Sequence, residues 1–174
     1  MDDEFQDAEA LICGSVYLLT SRGECYRCKR ITRLFALMAL PPFELVGDQD
    51  EPEDADGTML RDVGAMPQTL APLVTQHTNG KWHEDYSSTA GERYWMNHCE
   101  WCDASQGDFF VHGPSGPFSP YDDAGMAAIE ATKIDGPHRF EWAGTGYSGA
   151  MADRRDRCHG VVRPPVKGAR KRRN

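Results

Sequence analysis

Two short motifs, Cys25-x-x-Cys28 and Cys99-x-x-Cys102, carry the most specific chemistry in the sequence. Zinc takes four ligands at tetrahedral corners, with thiolate sulfurs about 2.3 Å from the metal, and one C-x-x-C turn presents two adjacent corners. Two such turns complete the shell. Between Cys28 and Cys99 lie 70 residues, but loop-closure entropy grows only logarithmically with length. A metal-binding free energy on the order of 10 kcal/mol outweighs it. Four cysteines leave no open position for water or substrate, so the expected role is structural, with one Zn2+ per chain. Arg27, Lys29 and Arg30 would offset the negative charge of four thiolates on one divalent ion.

Three other readings use the same sulfurs. Buried thiols can fall at this spacing by coincidence. A strand running into Cys25-x-x-Cys28, with a helical segment after it, is the thioredoxin arrangement of a dithiol oxidoreductase, although it leaves the second pair unexplained. A rubredoxin-like iron site takes the same four thiolates.

The remaining candidates are weaker. His98 can replace a cysteine as ligand, hydrogen-bond a sulfur, or simply pack in a strand. Asp108 and His112, with Gln106, can form a polar site, while Gly107 and Asp108 suit a turn beside the metal. Cys158-His159 can seed a second metal site or a nucleophile, or be incidental in a glycine-rich basic segment. Trp82, Trp95, Trp101 and Trp142 are expected to pack the core and the knuckles.

The elements that must position these residues are short. Residues 15–20 (SVYLLT) and 93–97 (RYWMN) read as strands leading into the two knuckles. Residues 31–40 (ITRLFALMAL) fit a helix through Ile31, Leu34, Phe35 and Met38, and fit a strand by length. Pro41 and Pro42 end the segment either way. Residues 66–74, with Pro67 and Pro72, read as an irregular crossing. GDFFV at 107–111 begins as a strand. Residues 124–133 suit a helix capped by Asp122 or Asp123, and Phe140 and Trp142 a last short strand.

At 174 residues the chain suits one domain with tails. No apolar run reaches the roughly 20 residues of a membrane span, and none follows a basic start. This predicts a soluble, cytoplasmic protein with no membrane partner, where six cysteines point to metal or redox chemistry rather than disulfides. The net charge of −8 is unevenly spread. Residues 1–153 hold ten basic and 26 acidic residues, a net of −16, and residues 154–174 hold nine basic residues against Asp156, a net of +8. Such charge runs stay solvated. The expected organisation is therefore an acidic flexible leader at 1–12, a domain at 13–150 with an acidic loop at about 44–62, and a basic disordered tail at 151–174.

The segments ECYRCKRITRLFALMA and YWMNHCEWCDASQGDFFVHGPSGPF resemble a group of uncharacterised bacterial zinc-ribbon proteins. In these, a C-x-x-C-G knuckle is followed far downstream by NHC-x-x-CG-x-x-QGDFF. The likeness covers about a third of the chain. It implies that Cys25, Cys28, Cys99 and Cys102 are the ligands, with Asn97, His98, Gln106, Gly107 and Asp108 in the signature. It implies no activity. Lys29 and Asp103 stand where that group has glycine, and of the two, Asp tolerates a left-handed backbone better. The expected fold is thus a β-rich α+β domain with a zinc-ribbon-like core, a long acidic insertion and disordered tails.

Binding rather than catalysis is the expected function. A basic protein partner, met by the acidic body, comes first. Nucleic acid is the alternative, contacted through Arg163, Lys167, Arg170, Lys171, Arg172 and Arg173, and through Arg22, Arg27, Lys29, Arg30 and Arg33.

Overall fold

The computed structural model describes residues 10–47, 57–120, 122–141, 144–147 and 158–162, with side chains described through residue 141. Strand β1 (Ala10–Glu24) runs through the middle of a seven-stranded sheet. It pairs antiparallel with β2 (Ile31–Ala39), β3 (Phe43–Val46) and β8 (Glu130–Glu141). Beyond these lie β4 (Thr58–Arg61) with β9 (Gly144–Tyr147) on one side, and β10 (Cys158–Val162), parallel to β8, on the other. A second sheet is built from β5 (Trp82–Ser87), β6 (Glu92–His98) and the two-residue β7 (Ser105–Gln106). Three short helices complete the described fold: α1 (Ala71–His77), α2 (Asp108–Val111) and α3 (Asp123–Ala128).

The large sheet is buried on both faces. Leu11, Cys13, Val16 and Leu18 of β1 join Phe35, Leu37, Leu60, Ile134 and Phe140 on one face, against Leu70, Val74 and Trp82. Tyr17 and Leu19 join Leu34, Ala36, Met38 and Met59 on the other, against Val111, Phe118 and Ile129. Alternation of period two therefore holds within each strand, broken in β1 by an irregularity between Cys13 and Ser15. That break lets Leu11 and Cys13 share a face with Val16 and Leu18. Residues 34–39 of β2 are buried without interruption, which is why their pattern reads equally as helix or strand.

The structure bears out a β-rich α+β fold and corrects several local expectations. The leader ends earlier than expected, since Ala10, Leu11 and Ile12 already belong to β1. Phe43–Val46 and Thr58–Arg61 are strands rather than loop, while residues 48–56, with most of the acids there, lie outside the described residues. Ala71–His77 is helical because Pro72 sits in the first turn, where its missing N–H costs nothing. Within GDFFV, Asp108–Val111 form the four-residue helix α2, not a strand; Phe109 and Phe110 face outward, and of the helix only Asp108 and Val111 are buried. The helix capped by Asp122 stops at Ala128, and β8 begins at Glu130. Trp142 lies outside the described residues, as does the tail expected to be disordered, except Cys158–Val162, which form β10. Among the described residues no helix is long and apolar enough to cross a membrane.

Candidate metal centre

Both knuckles are hairpin turns of one design. In the first, Cys25 N–H donates to Arg30 O and Lys29 N–H to Cys25 O, each at 2.9 Å. In the second, Cys99 N–H donates to Ala104 O and Asp103 N–H to Cys99 O, each at 3.0 Å. A turn this tight needs a left-handed residue after its second cysteine. Lys29 (φ 63°) and Asp103 (φ 58°) take that conformation without the freedom of glycine. Asp103 is anchored by Lys81 Nζ at 2.8 Å, whereas Lys29 has only a loose, exposed contact with Glu24 at 3.8 Å.

The turns face each other. Cys25 Sγ lies 3.7 Å from Cys102 Sγ, and Cys28 Sγ 3.6 Å from Cys99 Sγ. All four sulfurs fall within 4.8 Å of one another and can hold a metal ion. Cys25 and Cys99 are fully buried and pack with Ala104. Burial works against ionising Cys25, but the N–H groups of Cys28 and Arg27 and the neighbouring thiols of Cys102 and Cys99 bring it down to about 6. Cys28 is the counterpart. Arg30 N–H favours its thiolate, yet burial and the other thiols push it up to about 11. Four crowded sulfurs thus share their protons as a set.

Around the sulfurs the structure separates residues that sequence grouped together. Gln106 Nε2 donates to Cys25 Sγ at 3.4 Å and to Ala104 O at 2.9 Å, so it supports the shell directly. Asn97 bonds to β2 rather than to a sulfur. Its amide accepts from Phe35 N–H at 2.7 Å and donates to Phe35 O at 2.9 Å, mimicking a strand neighbour and joining β6 to β2. His98 does not reach the sulfurs either: its ring nitrogens meet Met96 O (3.0 Å) and Asp85 Oδ2 (3.1 Å), and the ring stacks on His83 at 3.8 Å. Gly107 precedes α2 in extended conformation.

Asp108 is buried and accepts from Asp62 N–H at 2.7 Å, tying α2 to the end of β4. Burial pushes its carboxyl up to about 7 despite the Asp62 N–H, with the Asp62 charge adding to the rise and Arg61 opposing it. His112 Nε2 lies 3.8 Å from the same oxygen, and burial, then Arg61, pulls the imidazole down to about 4.

Sequence reasoning missed the second knuckle's clamp. Glu100 accepts from Arg33 N–H at 2.9 Å and Arg33 Nε at 2.7 Å, and its own N–H donates to Thr32 Oγ1 at 3.0 Å. Trp101 Nε1 donates to Ile31 O at 2.8 Å, and Arg30 lies 4.4 Å over the indole. Trp101 is therefore 57% exposed rather than packed inside, unlike the buried Trp82. A glutamate between two cysteines gives no signal by type; only its placement opposite Arg33 does. The basic residues Arg163, Lys167, Arg170, Lys171, Arg172 and Arg173 lie outside the described residues. In comparisons with protein families, with curated proteins and with solved structures, nothing matches this chain.

Proposed function

We propose that the protein is a non-enzymatic binding module whose knuckles are clamped by one structural zinc, a zinc-ribbon-like core as in the bacterial proteins it resembles. The observation that carries this reading is the convergence of four sulfurs within 4.8 Å. A tetrahedron with zinc–sulfur bonds of about 2.3 Å has edges of about 3.8 Å, and two of the sulfur pairs lie at 3.6 and 3.7 Å. Four thiolates fill the shell and leave no site for substrate. Sulfurs committed to a metal are also poor nucleophiles, which speaks against a dithiol oxidoreductase.

With all four sulfurs committed to the metal, function falls to the surface that the clamp displays. Tyr26, Arg27, Lys29, Arg30, Ile31 and Trp101 are all exposed around the knuckles, a grouping of aromatic and cationic side chains typical of interface centres. The partner is a cytoplasmic protein whose basic surface meets the acidic body while an apolar patch covers Trp101. The same knuckle cations beside Tyr26 and Trp101 favour single-stranded nucleic acid as a second reading, with the basic tail adding phosphate contacts.

Affinity purification from the host with zinc-loaded wild type and with a Trp101→Ala, Arg30→Glu variant tests the first reading. A protein held by the wild type and lost by the variant is expected. Equal recovery on both contradicts the reading, and salt-sensitive recovery of nucleic acid in its place transfers the assignment to the second.

A further inference from the structure

A cleft of about 760 Å3 opens between the first knuckle, the β5–β6 hairpin and α2, within the size range of small-molecule sites. Its walls are aromatic and solvent-exposed: Tyr26 is 55% exposed, Tyr86 53%, Phe109 78% and Phe110 67%. Phe109 and Phe110 meet edge to face, with centroids 5.5 Å apart. Four exposed rings from three separate elements around one hollow are more than the scattered apolar residues of an ordinary surface.

The cleft also holds polar groups. Arg61, half-buried at the end of β4, lines it, and its Nε is buried without a hydrogen-bond partner among the described residues. An atom buried to that degree is not itself open to a ligand, but Arg61 as a residue is only half-buried, its guanidinium carries four further N–H donors, and an anionic ligand in the cleft is their natural complement. Asp62, next in the chain, lines the same cleft with an exposed side chain and can accept a hydrogen bond from an amino group.

We propose that this cleft binds a nucleotide: a flat heteroaromatic ring stacked on the wall of Tyr26, Phe109 and Phe110, a phosphate on Arg61, and an exocyclic amine on Asp62. Stacking is tolerant of ring identity, so the walls select flatness while Arg61 selects charge. The acidic body, at −16 over residues 1–153, repels an extended polyanion. A free nucleotide is thus favoured over a strand. Because Tyr26 sits between the two cysteines of the first knuckle, the metal clamp also shapes the cleft wall. The inference shares Tyr26 with the protein-partner reading but needs neither Trp101 nor Arg30, the residues changed in that reading's test.

Calorimetric titration of zinc-loaded protein with adenosine 5′-monophosphate, adenosine, inorganic phosphate and a single-stranded oligo(dA) of ten nucleotides tests it. Saturable binding of the monophosphate is expected, at least about tenfold tighter than of adenosine or phosphate alone, since ring and anion each contribute. Phe109→Ala should weaken it at least about fivefold, the lower end for loss of one stacking ring. Because Phe109 is largely exposed, melting and metal content should not change. Arg61→Gln should reduce the preference over adenosine. If Arg61→Gln fails to fold, Phe110→Ala provides the second variant. Oligo(dA) binding tighter than the monophosphate, and sensitive to Phe109→Ala, makes a strand the source of the ring; weaker binding leaves the free nucleotide. Two results overturn the proposal. One is the absence of saturable monophosphate binding up to about 5 mM, beyond the roughly 1 mM of weak specific complexes. The other is binding that Phe109→Ala leaves unchanged.

Discussion

Asn97→Ala should be among the most damaging single substitutions outside the cysteines. The Asn97 amide is 1% exposed and makes two hydrogen bonds to one residue, accepting from Phe35 N–H at 2.7 Å and donating to Phe35 O at 2.9 Å. Alanine removes both partners at once and leaves a donor and an acceptor of β2 buried and unpaired. Each such group costs about 1–3 kcal/mol, giving a loss of roughly 2–6 kcal/mol against a typical total of about 5–15 kcal/mol. For a chain of this size that is a fall in melting temperature of roughly 4–24 °C. Urea unfolding of the zinc-loaded protein, read by far-UV circular dichroism, measures it. Asn97→Asp is the control: it keeps the shape and the acceptor but sets an oxygen against Phe35 O, so it should be no more stable than the alanine variant at neutral pH. A loss below about 1 kcal/mol with an unchanged m-value would refute the claim that this amide joins the second sheet to the first.

Asp108→Asn should stabilise the protein at pH 8, by less at pH 5, and leave it nearly unchanged at about pH 4. The folded carboxyl is raised from 3.8 to about 7, so its contribution is fully present below about pH 4 and lost as pH rises through 7, by a few kcal/mol at most. Asn still accepts from Asp62 N–H. His112→Gln, read in the same pH-dependent melts, should reduce the acid sensitivity between about pH 6.5 and 4, because a base held down to about 4 stabilises the fold above 6.5 and loses that as pH falls. Lys29→Gly should raise the melting temperature slightly, by relieving a φ of 63° worth about 1 kcal/mol; a fall would place the weight on the exposed Glu24 contact instead. Cys13, whose thiol burial pushes up to about 11, should resist alkylation in the folded protein, and timed labelling read by mass spectrometry checks this.

Local spacing made the four converging cysteines legible. Each C-x-x-C turn closes on itself through its own backbone, with a left-handed residue, Lys29 or Asp103, directly after its second cysteine, so no distant residue is needed to recognise it. The strands entering the knuckles were readable for the same reason. What failed depended on partners far along the chain. Residues 31–39 have no alternation to read because core covers both faces of β2. The sequence around Phe109 and Phe110 resembles a buried strand, yet these rings face solvent because Asp108 is pulled inward to the Asp62 N–H, 46 residues away. Asn97 and His98 sit beside Cys99 in sequence yet bond elsewhere, one to Phe35 and one to Asp85. Glu100 depends on Arg33 across 67 positions. Sheet topology supplied each of these placements.

The zinc content of purified protein tests the central claim most directly. Elemental analysis of wild type, prepared without chelators, should give about one zinc per chain, since four thiolates close a single shell. Cys25→Ser and Cys99→Ser should each lose the metal and the cooperative melt with it, while Cys13→Ser should keep both. Wild-type protein that folds with no zinc, or Cys25→Ser and Cys99→Ser variants that melt cooperatively at the wild-type temperature, would contradict a fold clamped by metal.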